Sequence, residues 1–248
     1  MNIWAHRGCS QNYPENTLTS FEKAASISIV SGIELDIQLT KDGEIVVIHD
    51  EKVDRTTNGF GFVRDYTLKE LKNLAIWTRT DKIEHIPTME EVLDLLSPKL
   101  KEGFLINIEL KTSVFPYPGI EEKIMNLISK KGFEDNIVYS SFYAISLKNM
   151  HECNPDAKLG ILDTKVSDCL VKAKGLEYML GIKEGQIALH PYQSGMDISP
   201  SMLENRPVRA WFSGHLFPEL STGKTMDFKA HEDKGITDLI INEPEAYV

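Results

Sequence analysis

The sequence predicts an α/β fold, a TIM (β/α)8 barrel with a small insertion after the hairpin of its second strand. Three observations lead there. Eight short β-rich runs occur along the chain: IWAH, IELDI, LINIEL, IVYSSF, KLGIL, IALHPY, VRAWF and DLIIN. Segments with helix periodicity separate most of them, the pattern of βα units built on a parallel sheet. The length, 248 residues, suits one barrel of eight such units, with its active site at the carboxyl ends of the strands. A doubly wound open sheet is the runner-up.

Taken in order, IWAH ends in His6-Arg7-Gly8. TLTSFEKAASIS then reads as a helix with Leu18, Phe21 and Ala25 on one stripe and Asn16 as N-cap. IELDI leads through Asp42-Gly43, a hairpin signal, into IVVIHD, which is an antiparallel return strand and not a ninth barrel member. Residues 51–103 break the alternation. Asn58-Gly59 marks a loop there, and two short helices with capping boxes, Thr67 with Glu70 and Thr88 with Glu91, follow with no strand between them. This stretch is expected to be an insertion on the barrel mouth, within a single catalytic domain spanning 1–248. GIEEKIMNLISKKG, SFYAISLKNMHECN, SDCLVKAKGLEYMLG and TMDFKAHEDKG supply later helices.

Composition excludes several classes. The net charge is −10, with 37 acidic against 27 basic residues and no long Lys/Arg run, so nucleic acid is not an expected partner. MNIWAHRG enters an apolar strand without the basic and apolar regions of a signal peptide. No apolar run approaches the roughly 18 residues that would suggest a membrane span. Cys9, Cys153 and Cys169 show no paired spacing and read as reduced thiols. A cytoplasmic location is the expectation.

The chemistry is concentrated in GIELDIQLTKDGEIVVIHD, residues 32–50. Strand alternation puts Glu34, Asp36 and Gln38 on one face and Ile33, Leu35 and Ile37 on the other. In a barrel the carboxylates then point inward. With Asp42-Gly43 as a two-residue loop, Asp36 is expected opposite His49, and Asp50 is expected to point away from it. NIELK repeats the pattern, with Glu109 and Lys111 on one face. Three carboxylates meeting at ~4 Å would repel by about 4 kcal/mol per pair at an effective dielectric near 20, so positive charge must sit among them. Arg7 and Lys111 supply part of it, and an all-oxygen cluster also suits one hard divalent cation, Mg²⁺ or Ca²⁺. His6 and His49, each at a strand end beside that cluster, can divide acid and base work near neutral pH. Arg7 and Lys111 suit a phosphoryl group. The constellation points to phosphate-ester chemistry.

HRG, PENT (Pro14 to Thr17), IELDIQLTKDG, VVIHD, DRTTNG, INIELK and the late tryptophan strand together resemble a glycerophosphodiester phosphodiesterase. The resemblance covers nearly the whole chain and is strongest in its first 111 residues. It implies a TIM barrel with an insertion after the His-Asp strand, and metal-dependent hydrolysis of a small glycerophosphodiester, such as glycerophosphocholine or glycerophosphoethanolamine, to glycerol 3-phosphate and an alcohol. By the same resemblance, Glu34, Asp36 and Glu109 are metal ligands and His6 and His49 the acid/base pair. Arg7 and Lys111 hold the phosphate, and Phe142 and Trp211 receive the glycerol end.

The chain departs from the family pattern in its last third. Phe212-Ser213-Gly214-His215 opens a longer loop containing Pro218 and Gly223, and Ile241-Asn242-Glu243 replaces a usual I-T-D. These changes bear on the identity of the alcohol. His190 is expected to be structural, while His85, His151, His215 and His231 read as surface or loop residues. Glu15 and Asn16 are expected to fix the first loop. The competing readings are a noncatalytic barrel that binds phosphodiesters or lipid headgroups, and a phospholipase D-like lipid phosphodiesterase.

Overall fold

The computed structural model describes residues 1–79, 82–212, 217–219 and 225–248. β1 (Asn2–His6) is followed by α1 (Leu18–Ala25), the long β2 (Val30–Leu39) and the short β3 (Ile45–Val47). Next come α2 (Leu68–Leu71), a two-stranded ribbon of β4 (Ile76–Trp77) and β5 (Ile83–Glu84), and α3 (Met89–Lys101). β6 (Leu105–Leu110), α4 (Ile120–Lys131), β7 (Ile137–Ser141), α5 (Ala144–Cys153), β8 (Lys158–Asp163) and α6 (Val166–Leu180) then alternate. β9 (Ala188–Pro191), β10 (Arg209–Trp211), α7 (Phe228–Glu232) and β11 (Asp238–Ile241) complete the elements used below.

All eight expected barrel strands form. They run parallel in the order β10-β11-β1-β2-β6-β7-β8-β9, with β3 antiparallel on β2. Two isolated parallel bridges, Leu189 to Val208 and Tyr192 to Trp211, join β9 to β10 and bring the sheet round on itself. The barrel therefore prevails over the open sheet. Its outward faces carry the apolar half of each alternation, so Ile33, Leu35 and Ile37 of β2 pack in one core with Phe21 and Ala24 of α1 and with α3. α3 buries Met89, Val92, Leu93, Leu96 and Leu100, a stripe at helical spacing.

Three local expectations change. The cap of α1 is Thr17, whose side chain accepts from the Ser20 N–H in a capping box. Asn16 sits one residue earlier at φ 56 and turns into the barrel. The stretch 51–103 has both expected capping boxes but also the β4–β5 ribbon. Its parts pack in two places: Val53, Val63, Leu71, Ile76 and Ile86 form a separate cluster with Val46 and Ile48, whereas α3 belongs to the main core.

The β2–β3 hairpin also shifts by one residue. Ile37 pairs with Val47, Gln38 with Val46 and Leu39 with Ile45, so His49 does not oppose Asp36. The loop is three residues long, 41–43, because Thr40 closes it from within. Thr40 N–H donates to the Glu44 carbonyl at 3.0 Å, and the Glu44 N–H donates to Thr40 Oγ1 at 2.8 Å. Gly43 adopts φ 81, the left-handed position that such a loop assigns to glycine.

Inside the barrel, beneath the mouth, lies a polar layer that the apolar appearance of the later strands hides. His190 of β9 is fully buried, its Nε2 is 3.2 Å from an Arg209 guanidinium nitrogen, and Arg209 Nε is 3.9 Å from Asp238. The ring fits only because residue 160 is glycine: a Cβ there would stand 2.2 Å from His190 Nε2. Burial, then the Arg209 charge, pushes His190 well below the ordinary histidine range. The unfolded chain therefore takes up a proton near pH 6.5 that the fold refuses, so this contribution to stability is complete above about 6.5 and is lost as pH falls. The free energy of urea unfolding should decline below about pH 6.5 with a slope of at most about 1.4 kcal/mol per pH unit from this residue. His190→Gln should show a shallower decline; an unchanged profile would contradict the assignment.

Candidate active site

The carboxyl ends of β1, β2 and β6 meet at the barrel mouth. β2 pairs with β6 so that Asp36 lies beside Glu109, and with β1 so that Glu34 lies beside His6. Glu34, Asp36 and Glu109 are all buried, and one oxygen from each lies within 4.8 Å of the others. Lys111 Nζ sits 2.9 Å from Glu109 Oε1 and 3.9 Å from Asp36 Oδ1. Arg7 donates its backbone N–H to Glu34 Oε2 at 3.1 Å and holds its guanidinium Nε 3.5 Å from Asp36 Oδ2. It reaches this position through a left-handed backbone, φ 55, directly after β1. Asn16 donates to Asp36 Oδ2 at 2.9 Å, so its role is to orient a carboxylate and not to cap α1.

The electrostatics divide the three acids. Burial, together with the charges of Asp36 and Glu109, pushes the Glu34 carboxyl well above its usual range, against Arg7. Asp36 moves the other way: burial opposes ionisation, but His49, Arg7 and Lys111 hold it below the usual carboxylate range. Asp36 Oδ1 and Arg7 Nε are both buried without a hydrogen-bond partner, as are Asn107 Oδ1 and Ser140 Oγ. Buried polar atoms are seldom left so. A lone acceptor among three carboxylates fits a hard cation, and a lone guanidinium donor beside it fits an anionic oxygen.

Both histidines reach this pocket. His6 Nδ1 is 2.6 Å from Asn242 Oδ1, and its Nε2 is 3.8 Å from Glu34 Oε2. Burial, with Arg7 alongside, lowers His6 to about 3, so the ring is neutral at physiological pH. His49 lies beyond the end of β3, where the chain bends and strand alternation no longer applies. Asp50 consequently turns back, contrary to expectation, and its Oδ1 lies 2.7 Å from His49 Nδ1. Gln38, on the carboxylate face of β2, donates to the carbonyls of Ile48, His49 and Asp50 at 3.0, 3.2 and 2.7 Å. That clamp keeps His49 beside Asp36 despite the shifted register. Its Nε2 is 3.2 Å from Lys111 Nζ.

The pocket so formed measures about 90 Å³ and is lined by His6, Arg7, Glu34, His49, Glu109, Phe142 and Trp211 among others. Phe142 and Trp211 stand edge to face, ring centroids 6.1 Å apart, and form an aromatic wall of the pocket. Trp211 is held by its indole N–H, which donates to the His190 carbonyl at 3.1 Å. Eight of the nine residues expected at the site line this pocket or, as with Asp36, belong to its carboxylate cluster, and Lys111 touches it through Glu109 and His49. His190 does not line it, consistent with a structural place. Asn107 and Ser140, which line it, were not expected there, nor were Glu15, Arg55 and Asn242, which stand outside the lining and bond to Arg7, Asp50 and His6. Asn107 shares the inward face with Glu109, a signal available from alternation, and Asn242 is the departure noted in the closing strand. Ser213, Gly214, His215 and Gly223 lie outside the described residues.

The sequence model of the glycerophosphoryl diester phosphodiesterase family matches residues 6–177. The chain belongs to this family. A glycerophosphodiester phosphodiesterase of Caldanaerobacter subterraneus subsp. tengcongensis is 38% identical over 250 residues, covering 99% of this chain and 96% of the relative. A solved glycerophosphodiester phosphodiesterase from Thermotoga maritima is 25% identical with a TM-score of 0.68, over 99% of this chain and 96% of that one. A phosphodiesterase of Oleispira antarctica, solved with the product sn-glycerol-3-phosphate, shares the fold at 24% identity and a TM-score of 0.73, over 99% and 94%. Family membership makes the chain a phosphoric diester hydrolase and sets aside the noncatalytic barrel. No helix among the described residues is long and apolar enough to cross a membrane.

Proposed function

We propose that the chain hydrolyses small glycerophosphodiesters, such as glycerophosphocholine or glycerophosphoethanolamine, to glycerol 3-phosphate and an alcohol. The observation that carries this reading is the placement of His6 and His49 on one pocket with three buried carboxylates and two cations between them. The Oleispira antarctica phosphodiesterase, solved in complex with the product sn-glycerol-3-phosphate, supports it by likeness of fold.

Glu34, Asp36 and Glu109 would hold one divalent cation, Mg²⁺ or Ca²⁺, which supplies Lewis-acid polarisation of a phosphoryl oxygen when bound. The rest is done by this chain's own groups. Arg7 Nε, buried and without a hydrogen-bond partner, donates to a phosphoryl oxygen as charge grows at phosphorus. Lys111 is a second cation for that group, released from His49 Nε2 as the phosphate enters. One histidine, starting neutral, takes a proton from the attacking hydroxyl, of water or of the glycerol itself, and the other, starting as the imidazolium, gives its proton to the departing alcohol. Phe142 and Trp211 form an apolar wall for the glycerol carbons. Trp211→Ala should raise KM about tenfold, on the order of 1.4 kcal/mol of lost apolar contact, with kcat little changed. A lowered kcat at constant KM would place the indole elsewhere in the reaction.

Incubation with glycerophosphocholine and glycerophosphoethanolamine, with and without EDTA, should release glycerol 3-phosphate only where a divalent ion remains. A broad panel of glycerophosphodiesters giving none, with Mg²⁺, Ca²⁺ and Mn²⁺ supplied, would sink the reading.

A further inference from the structure

Arg55 comes from the segment after β3 and lies outside the pocket lining, yet its guanidinium is divided between two carboxylates. Its Nε and one terminal nitrogen donate to Asp50 Oδ2 and Oδ1 at 2.7 and 2.9 Å. The two terminal nitrogens donate to Glu15 Oε2 and Oε1 at 2.7 and 2.8 Å. Each carboxylate then holds one side of the site: Asp50 Oδ1 is 2.7 Å from His49 Nδ1, and Glu15 Oε1 accepts from Arg7 at 2.9 Å. A continuous polar chain thus runs from His49 through Asp50, Arg55 and Glu15 to Arg7. It joins the ends of β1 and β3 through one side chain.

The partners of His49 dictate its tautomer. An ionised Asp50 only accepts hydrogen bonds, and the Lys111 ammonium only donates them. With Asp50 on Nδ1 and Lys111 3.2 Å from Nε2, the neutral ring carries its proton on Nδ1 and turns the Nε2 lone pair to the pocket. Asp50 is part-exposed. Without a fixed partner it can turn to water, and the ring keeps only the Lys111 contact, which is given up as the phosphate enters.

We propose that Arg55 is a positioning residue: its fork pins Asp50 on His49 Nδ1 so that Nε2 is the atom that exchanges the proton, and the same fork holds Glu15, which orients Arg7. The proposal rests on reading His49 as an acid/base group. A lysine should not replace Arg55, since a point charge on a flexible stem cannot grip two carboxylates at once.

The test uses the full chain with Arg55→Met, Arg55→Lys, Asp50→Asn and the double variant of Arg55→Met with Asp50→Asn, assayed on glycerophosphocholine with Mg²⁺. Each is expected to lower kcat about 10- to 100-fold, the usual effect of a supporting residue, with KM within about threefold. The double variant should be no slower than the slower single one. Independently of turnover, ¹⁵N spectra of histidine-labelled protein with glycerol 3-phosphate bound, which draws Lys111 from Nε2, should show His49 with a protonated Nδ1 and an unprotonated Nε2 when neutral, and the two shifts converging in Arg55→Met. Retained kcat where His49→Ala is inactive, multiplying effects, or an unmoved His49 pattern would each overturn the proposal. If Arg55→Met fails to fold, the nearly isosteric Asp50→Asn decides by the same spectrum. If His49→Ala stays active while the spectrum responds as expected, the reading of His49 fails and the positioning stands.

Discussion

Replacing His6 or His49 by alanine should lower kcat by about 10² to 10⁴, the range expected for a general acid or base. The two substitutions should leave the fold in place for different reasons. His49 is part-exposed at the mouth, and its backbone is held by Gln38 and not by its own ring. His6 is buried but is lowered to about 3, so its loss removes a neutral ring. Each variant keeps the three carboxylates, so binding of a divalent ion, measured by calorimetry, should persist in both. A variant with nearly full activity would remove that histidine from the reaction.

Removing one acid of the cluster should be comparably severe. Glu109→Gln is the informative choice, because among the described residues Glu109 is hydrogen-bonded by Lys111 alone, whereas Asp36 also anchors Asn16 and Arg7. The expected result is weakened divalent-ion binding and a fall in kcat/KM of about 10³, several kcal/mol of transition-state stabilisation. Activity that excess Mg²⁺ or Ca²⁺ leaves at the parent level in Glu109→Gln, with unchanged ion affinity, would exclude this carboxylate as a ligand.

Most of the barrel was legible because it depends on local pattern. Alternation in IELDI and NIELK placed Glu34, Asp36 and Glu109 on inward faces, and pairing of β2 with β6 then brought Asp36 and Glu109 side by side. What alternation could not reveal was where it stops. β3 ends at Val47, two residues before His49, so the facing of His49 and Asp50 is set by the Gln38 side chain and by Arg55. Likewise Asp42-Gly43 correctly marked a turn, but Thr40 added a residue to the loop by hydrogen-bonding within it. Contacts between residues far apart in sequence, such as Asn242 with His6, leave no local trace. The layer of His190, Arg209 and Asp238 escaped notice because single polar residues in otherwise apolar strands look incidental.

The ladders of the barrel are unequal, and this has a mechanical consequence. β2 and β6 are joined by six register pairs directly beneath the carboxylates, while among the described residues β9 and β10 are joined by two isolated bridges alone, one of them at Trp211. Where fewer backbone bonds cross, local opening is easier. The sheet is therefore stiffest under the charges that must keep a fixed spacing and most compliant beside the aromatic wall. The wall can yield to the shape of what enters while the charged floor stays rigid.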